Sequence, residues 1–118
     1  MNLSDNYGVE IDCVIGAGWV HTHGMGRHGL PELEVRGVPG LLFGHAGTLL
    51  NEVCAYMIEG RRVVRLGETM ELSPHTRFRF EAAEPLAGDE EHYRTERWRL
   101  ADIAAECLCC GRHECEAV

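Results

Sequence analysis

FGHAGTLLNEVCAYMIEG, residues Phe43–Gly60, is the stretch around which the rest of the chain is organised. Ala46, Leu49, Leu50, Val53, Cys54 and Met57 recur at spacings of three and four, which gathers them into one apolar stripe on a helix. Gly60 supplies the usual C-terminal stop. A helix with one apolar stripe has to bury it. The segments on both sides offer the surface, because they alternate with period two as half-buried strands do.

Toward the N-terminus, Val9 to Ile15 puts Val9, Ile11, Cys13 and Ile15 on one face, which predicts a strand with Cys13 buried. Cys54, on the helix stripe, is predicted to be a second core thiol. After a turn at Gly16-Ala17-Gly18, Trp19 to His23 alternates again, with Trp19, His21 and His23 on a common side. Gly24 to Pro31 contains three Gly and one Pro in eight residues and reads as an exposed loop. Glu32 to Val38 reads as a third strand. Beyond the helix, Arg61 to Leu72 reads as two short extended segments bent at Gly67. Thr76 to Glu81 alternates Phe78 and Phe80 against Arg77, Arg79 and Glu81, which places those charges on a solvated face. Glu84 to Glu91, with Pro85 and Gly88, reads as a loop. His92 to Ile103 carries two patterns: Trp98 and Leu100 fit a strand, whereas Leu100, Ala104, Cys107 and Leu108 fit a helix. The strand is preferred. The expectation is an α+β fold, a curved and mostly antiparallel sheet on one central helix in the order βββαβββ. The chain is read as a single domain, residues 1–118, with a loose Cys-rich tail over residues 107–118.

Composition narrows the function classes. With 118 residues, 45% of them apolar, the chain has material for one core. A net charge of -8 removes a general attraction to nucleic-acid phosphates or to an anionic bilayer, so neither partner is expected. No apolar run is read as reaching the ~18 residues needed to span a membrane. All 11 basic residues are Arg, which excludes Schiff-base, P-loop and general-base lysines. Ser4 and Ser73 are the only serines, and neither lies in a G-x-S-x-G turn, which excludes that serine-hydrolase arrangement. Met1 to Glu10 has neither a basic start nor an apolar core, so no signal peptide is expected and the cytoplasm is the predicted compartment. Six Cys in a reducing compartment are expected as thiols or metal ligands.

Two constellations carry metal chemistry. Alternate residues of a strand project to one side, so His21 and His23 present two imidazoles to one ion, with His28 or Glu32 as a third ligand. In the C-terminal run, Cys107, Cys109, Cys110, His113 and Cys115 put four thiols and an imidazole within nine residues, a soft set suited to zinc or Cu(I). It lacks the second, separated Cys pair of a structural zinc site. Val14-Ile15-Gly16-Ala17-Gly18 begins like a dinucleotide fingerprint, but His21 stands where the third glycine is needed and no helix follows. Glu32 and Glu34 share a face as paired carboxylates do. His45 falls at the start of the helix.

Trp19-Val20-His21-Thr22-His23-Gly24-Met25, continuing through Gly29-Leu30-Pro31-Glu32-Leu33-Glu34-Val35, resembles a pattern of uncharacterised bacterial domain families of unknown function. Leu49-Leu50-Asn51, Gly67 and Phe78-Arg79-Phe80 extend the resemblance over residues 18–82, with Met25 where leucine is usual. The resemblance implies one compact bacterial α+β unit and assigns no catalytic residue. The reading that follows is a small cytoplasmic binding or accessory protein that engages a protein partner, a second copy of itself or a metal, zinc being the cofactor considered. The alternatives are a metal-dependent enzyme using His21, His23 and His28 with Glu32 as base, and a metal carrier or sensor working through the Cys run.

Overall fold

The computed structural model describes residues 7–60, 63–73, 76–88 and 90–103. Its strands are β1 (Glu10–Val14), β2 (Trp19–His23), β3 (Glu32–Val35), β4 (Thr69–Ser73), β5 (Thr76–Ala82) and β6 (Arg97–Asp102), and its helix is α1 (Phe43–Ile58). The fold is α+β, and the order βββαβββ is the one the alternation predicted. One six-stranded sheet runs β1-β2-β3-β6-β5-β4. Each group of three is an antiparallel meander, and the two meanders join at β3 and β6, which are parallel. A parallel junction needs a long crossover, and α1 supplies much of it.

The helix lies over β1, β2 and β3. Of its predicted stripe, Ala46, Leu50, Val53, Cys54 and Met57 are buried with Val20, Leu33, Phe78, Phe80, Trp98 and Leu100 in one core, and Leu49 packs against it half-buried. Phe80 stands edge-on to Phe78 at 5.4 Å and to Trp98 at 5.8 Å between ring centroids. These are favoured aromatic geometries. Counting the 3-10 turn that leads into it, Gly40–Ile58 gives 19 helical residues, long and apolar enough by length and composition to cross a bilayer. That corrects the expectation that no such run exists. In this fold the segment is the core helix.

Several boundaries differ from the sequence reading. The third strand stops at Val35, because Gly37 turns the chain with φ +68° and the Val38 N–H bonds back to the Gly18 carbonyl at 2.9 Å. A side chain at Gly18 would meet Val38 O at 2.9 Å, so the close approach requires glycine there. The Gly24–Pro31 segment is not simply an exposed loop: Met25–His28 form a 3-10 turn that sinks Met25 completely into the core. Cys13, predicted to be buried, is exposed on the edge strand β1, whereas Cys54 is buried as expected. Of Arg61 to Leu72, the described extended segment is β4, entered through a turn at Gly67. The two patterns of the final segment resolve as β6 up to Asp102.

A candidate metal centre on the polar face of the sheet

Alternation along the strands gives the sheet two unlike faces. Val20, Leu33, Phe78, Phe80, Trp98 and Leu100 point toward the helix side. On the other side the cross-strand register lines up one row over five strands. Asp12 pairs with His21, His21 with Glu34, Glu34 with Arg99, and Arg99 with Glu81. Acid, imidazole, acid, guanidinium and acid therefore follow one another across the sheet.

At the β1–β2 end of this row, Asp12, His21 and His23 converge. Strand periodicity projects His21 and His23 to the same side, and the antiparallel register brings Asp12 opposite His21. One ligand atom from each of the three lies within 4.8 Å of the others. His23 Nε2 is 2.8 Å from Asp12 Oδ2. The His21 ring is stacked on Trp19, with centroids 3.7 Å apart and planes inclined by 20°, and meets His23 edge-on at 4.8 Å. This stacking holds His21 in a nearly buried position, 3% exposed, while Asp12 and His23 face solvent. Metal–ligand distances of about 2.0–2.2 Å allow two ligand atoms on one ion to be at most about 4.4 Å apart. The set closes onto an ion with a small side-chain movement, for which exposed Asp12 has room.

Behind the histidines lies Glu34, wholly buried and opposite His21 in the register. Its carboxylate takes a hydrogen bond from Arg36 Nε and stands 3.9 Å from Arg97 Nε. Arg36 also reaches the Glu84 carbonyl, tying the loop after β5 to this side of the sheet. Arg99 donates to Glu81 at 2.7 Å. Two imidazoles and one carboxylate are a donor set used for zinc and for non-haem iron, with coordination positions left for water or an outside ligand.

The other candidates are placed elsewhere. His28 is exposed and its Nε2–H donates to the Tyr7 carbonyl at 2.8 Å, away from the His21–His23 pair. Glu32, weighed as third ligand or base and as a partner for Glu34, is bound to the glycine-rich turn. Its Oε1 accepts from the Thr22 hydroxyl at 2.8 Å and from Met25 N–H at 3.2 Å, and its Oε2 from the N–H groups of Gly24 and Gly26 at 3.2 and 3.4 Å. Asp12, not His28 or Glu32, is therefore the third member of the set. The sequence shows which face Asp12 occupies but not which residues it meets, because the register is set by the β1–β2 turn. His45 is exposed on the first turn of α1. Burial, with the nearby Glu32 carboxylate adding to it, pushes the Cys54 thiol up to about 12, which disfavours the thiolate a metal needs. Cys107, Cys109, Cys110, His113 and Cys115 lie outside the described residues.

No protein-family model, curated protein or solved structure matches this chain.

Proposed function

We propose that this chain is a small cytoplasmic binding protein that takes up one divalent transition-metal ion, zinc first, through Asp12, His21 and His23. The single observation that carries the reading is the convergence of these three side chains from two adjacent strands. Three protein ligands leave a coordination position open, and a donor from a partner protein or a second copy fills it in this reading. Glu34 stands beside His21 in the register, with its carboxylate held by Arg36 and Arg97.

The test is zinc binding by calorimetry, with elemental mass spectrometry of protein purified without an affinity tag in reducing buffer. One equivalent per chain is expected. Asp12→Asn and His23→Ala, both at solvent-facing positions, should each weaken binding by about tenfold or more, at least what the loss of an outer-shell partner costs a metal site. Replacing Cys107, Cys109, Cys110 and Cys115 by serine should leave that equivalent in place. If instead the four serine replacements abolish binding and Asp12→Asn does not, the ion belongs to the C-terminal run and this reading is wrong.

A further inference from the structure

We propose that zinc at the Asp12–His21–His23 set joins two copies of this chain through their β1 edges, Glu10 of each copy supplying the fourth ligand to the ion of the other. The inference rests on the metal reading above and names the partner that fills the open position. β1 ends the sheet, and among the described residues no strand lies beyond it. Four of its five side chains, Glu10, Asp12, Cys13 and Val14, are exposed. It pairs with β2 over five consecutive residue pairs without irregularity. The opposite edge, β4, is broken by a register shift between Glu71 and Ser73. A shift of that kind blunts an edge against further pairing, whereas a regular edge strand offers a row of N–H and C=O groups to another strand.

The acids of β1 oppose that pairing until an ion is bound. Glu10 stands opposite His23 and Asp12 opposite His21 in the register, so both acids share the face of the two histidines. Two β1 strands related by a two-fold axis run antiparallel. With Ile11 opposite Ile11 of the second copy, Glu10 of each copy faces Asp12 of the other, their Cβ atoms about 4.5–5.5 Å apart. Two facing acid pairs repel, and a net charge of -8 on each chain adds to the repulsion. A divalent ion reverses the sign of this contact. Held by Asp12, His21 and His23 of one copy, it turns the acid that faced Asp12 into its fourth ligand. Four N and O donors complete the closed, tetrahedral set of a structural zinc site.

The register follows from the donors. An axis through Asp12 leaves one pair of aspartates shared between two ions, and an axis through Cys13 sets Val14, which has no donor, opposite Asp12. The axis through Ile11 gives each ion a fourth ligand of its own. Glutamate, one methylene longer than aspartate, suits the reach across a strand spacing of about 4.8 Å. Within a single copy the Glu10 carboxylate is not among the ligand atoms gathered within 4.8 Å, which come from Asp12, His21 and His23. Two six-stranded sheets then become one continuous sheet, with one ion per chain on its polar face.

The experiment is sedimentation velocity of the full chain in reducing buffer, with EDTA and with one equivalent of zinc, followed by elemental analysis of each species. A monomer is expected in EDTA, and a dimer carrying one zinc per chain when zinc is present. Glu10→Gln should weaken zinc binding by about tenfold or more, at least what the loss of an outer-shell partner costs a metal site, and leave the zinc-loaded chain monomeric. Asp12→Asn should do the same. Mixed in equal amounts, these two variants should regain a dimer with one tightly held zinc per pair, because the Glu10→Gln chain keeps its own Asp12 and receives Glu10 from the other. Cys13→Lys, at an exposed edge position outside the metal set, should abolish the dimer and leave zinc binding at the Glu10→Gln level. Serine at Cys107, Cys109, Cys110 and Cys115 should leave the dimer intact. A zinc-loaded monomer overturns the inference while the metal reading stands, and absence of bound zinc overturns both. A dimer in EDTA, or loss of the dimer with the four serines, also overturns the inference. So does a mixture that binds no better than its components, since Glu10 would then act within its own chain.

Discussion

Replacing Glu32 with Gln should cost the fold about 2–3 kcal/mol while leaving zinc binding within about twofold. The carboxylate accepts four hydrogen bonds in the structure, two on each oxygen, from Thr22, Gly24, Met25 and Gly26. Gln keeps one accepting oxygen. Its amide nitrogen then points donors at backbone N–H groups that are donors themselves, and the remaining bonds lose the help of the charge. Bonds to a charged group contribute about 1.5–3 kcal/mol each, but four on one carboxylate are not additive, and the part-open turn lets water replace some of them. Urea unfolding should show a lower midpoint at unchanged slope, and amide exchange at Gly24 to Gly26 should speed up. A second readout is Cys54, whose thiol is raised first by burial and then by the Glu32 charge. In a background that keeps only this cysteine, the variant thiol should titrate below its wild-type value of about 12 yet stay above 9.0, because the larger cause remains. Unchanged stability together with a tenfold loss of zinc affinity would refute the reasoning, since Glu32 would then be a ligand and not the anchor of the turn.

The Cys54 thiol also gives the fold an alkaline limit. Its value rises from 9.0 to about 12 on folding, so the neutral form is favoured in the native state, and its contribution is whole below pH 9 and lost between pH 9 and pH 12. At about 1.4 kcal/mol per unit, the loss is on the order of 4 kcal/mol; comparing unfolding free energies of the wild type and Cys54→Ala across that window isolates it. Gly24→Ala places a methyl 2.4 Å from the Gly8 carbonyl oxygen at φ +113°, a clash with backbone that cannot swing away. A loss of about 3 kcal/mol is expected by thermal unfolding, against almost none for Gly26→Ala, where the space is open. Glu34→Met should destabilise by about 3–5 kcal/mol because Arg97 stays buried without its carboxylate, and adding Arg97→Met should recover most of that in urea unfolding.

Element type was legible from local pattern. The stripe from Ala46 to Met57 and the alternation at Trp19–His23 and Phe78–Phe80 depend only on period, which the backbone geometry imposes. Burial was legible where an element sits in the middle of the sheet and not at its edge. Cys13 has the alternation of a core residue, but β1 has a neighbour on one side only, and the cysteine is left exposed. The metal set was half legible. His21 and His23 share a face by spacing alone, while Asp12 joins them through a pairing that no local rule gives. Glu32 shows the converse: its carboxylate suggests a ligand or base, and the glycine-rich turn consumes it because successive backbone N–H groups in a tight turn point inward at one acceptor.

The junction of β3 and β6 also governs how the chain reaches this form. Glu32 and Arg97 are partners although 65 positions separate them (97 − 32), while every other pairing in the sheet links consecutive strands. Closing a loop of that length carries an entropy term of about 4 kcal/mol, and only three register pairs, Glu32–Arg97, Leu33–Trp98 and Glu34–Arg99, stand directly against it. Each three-stranded half is local and fast to form by comparison. The central strands of the finished sheet are therefore its last seam in time, and the ionic row that crosses them becomes continuous only when folding is complete.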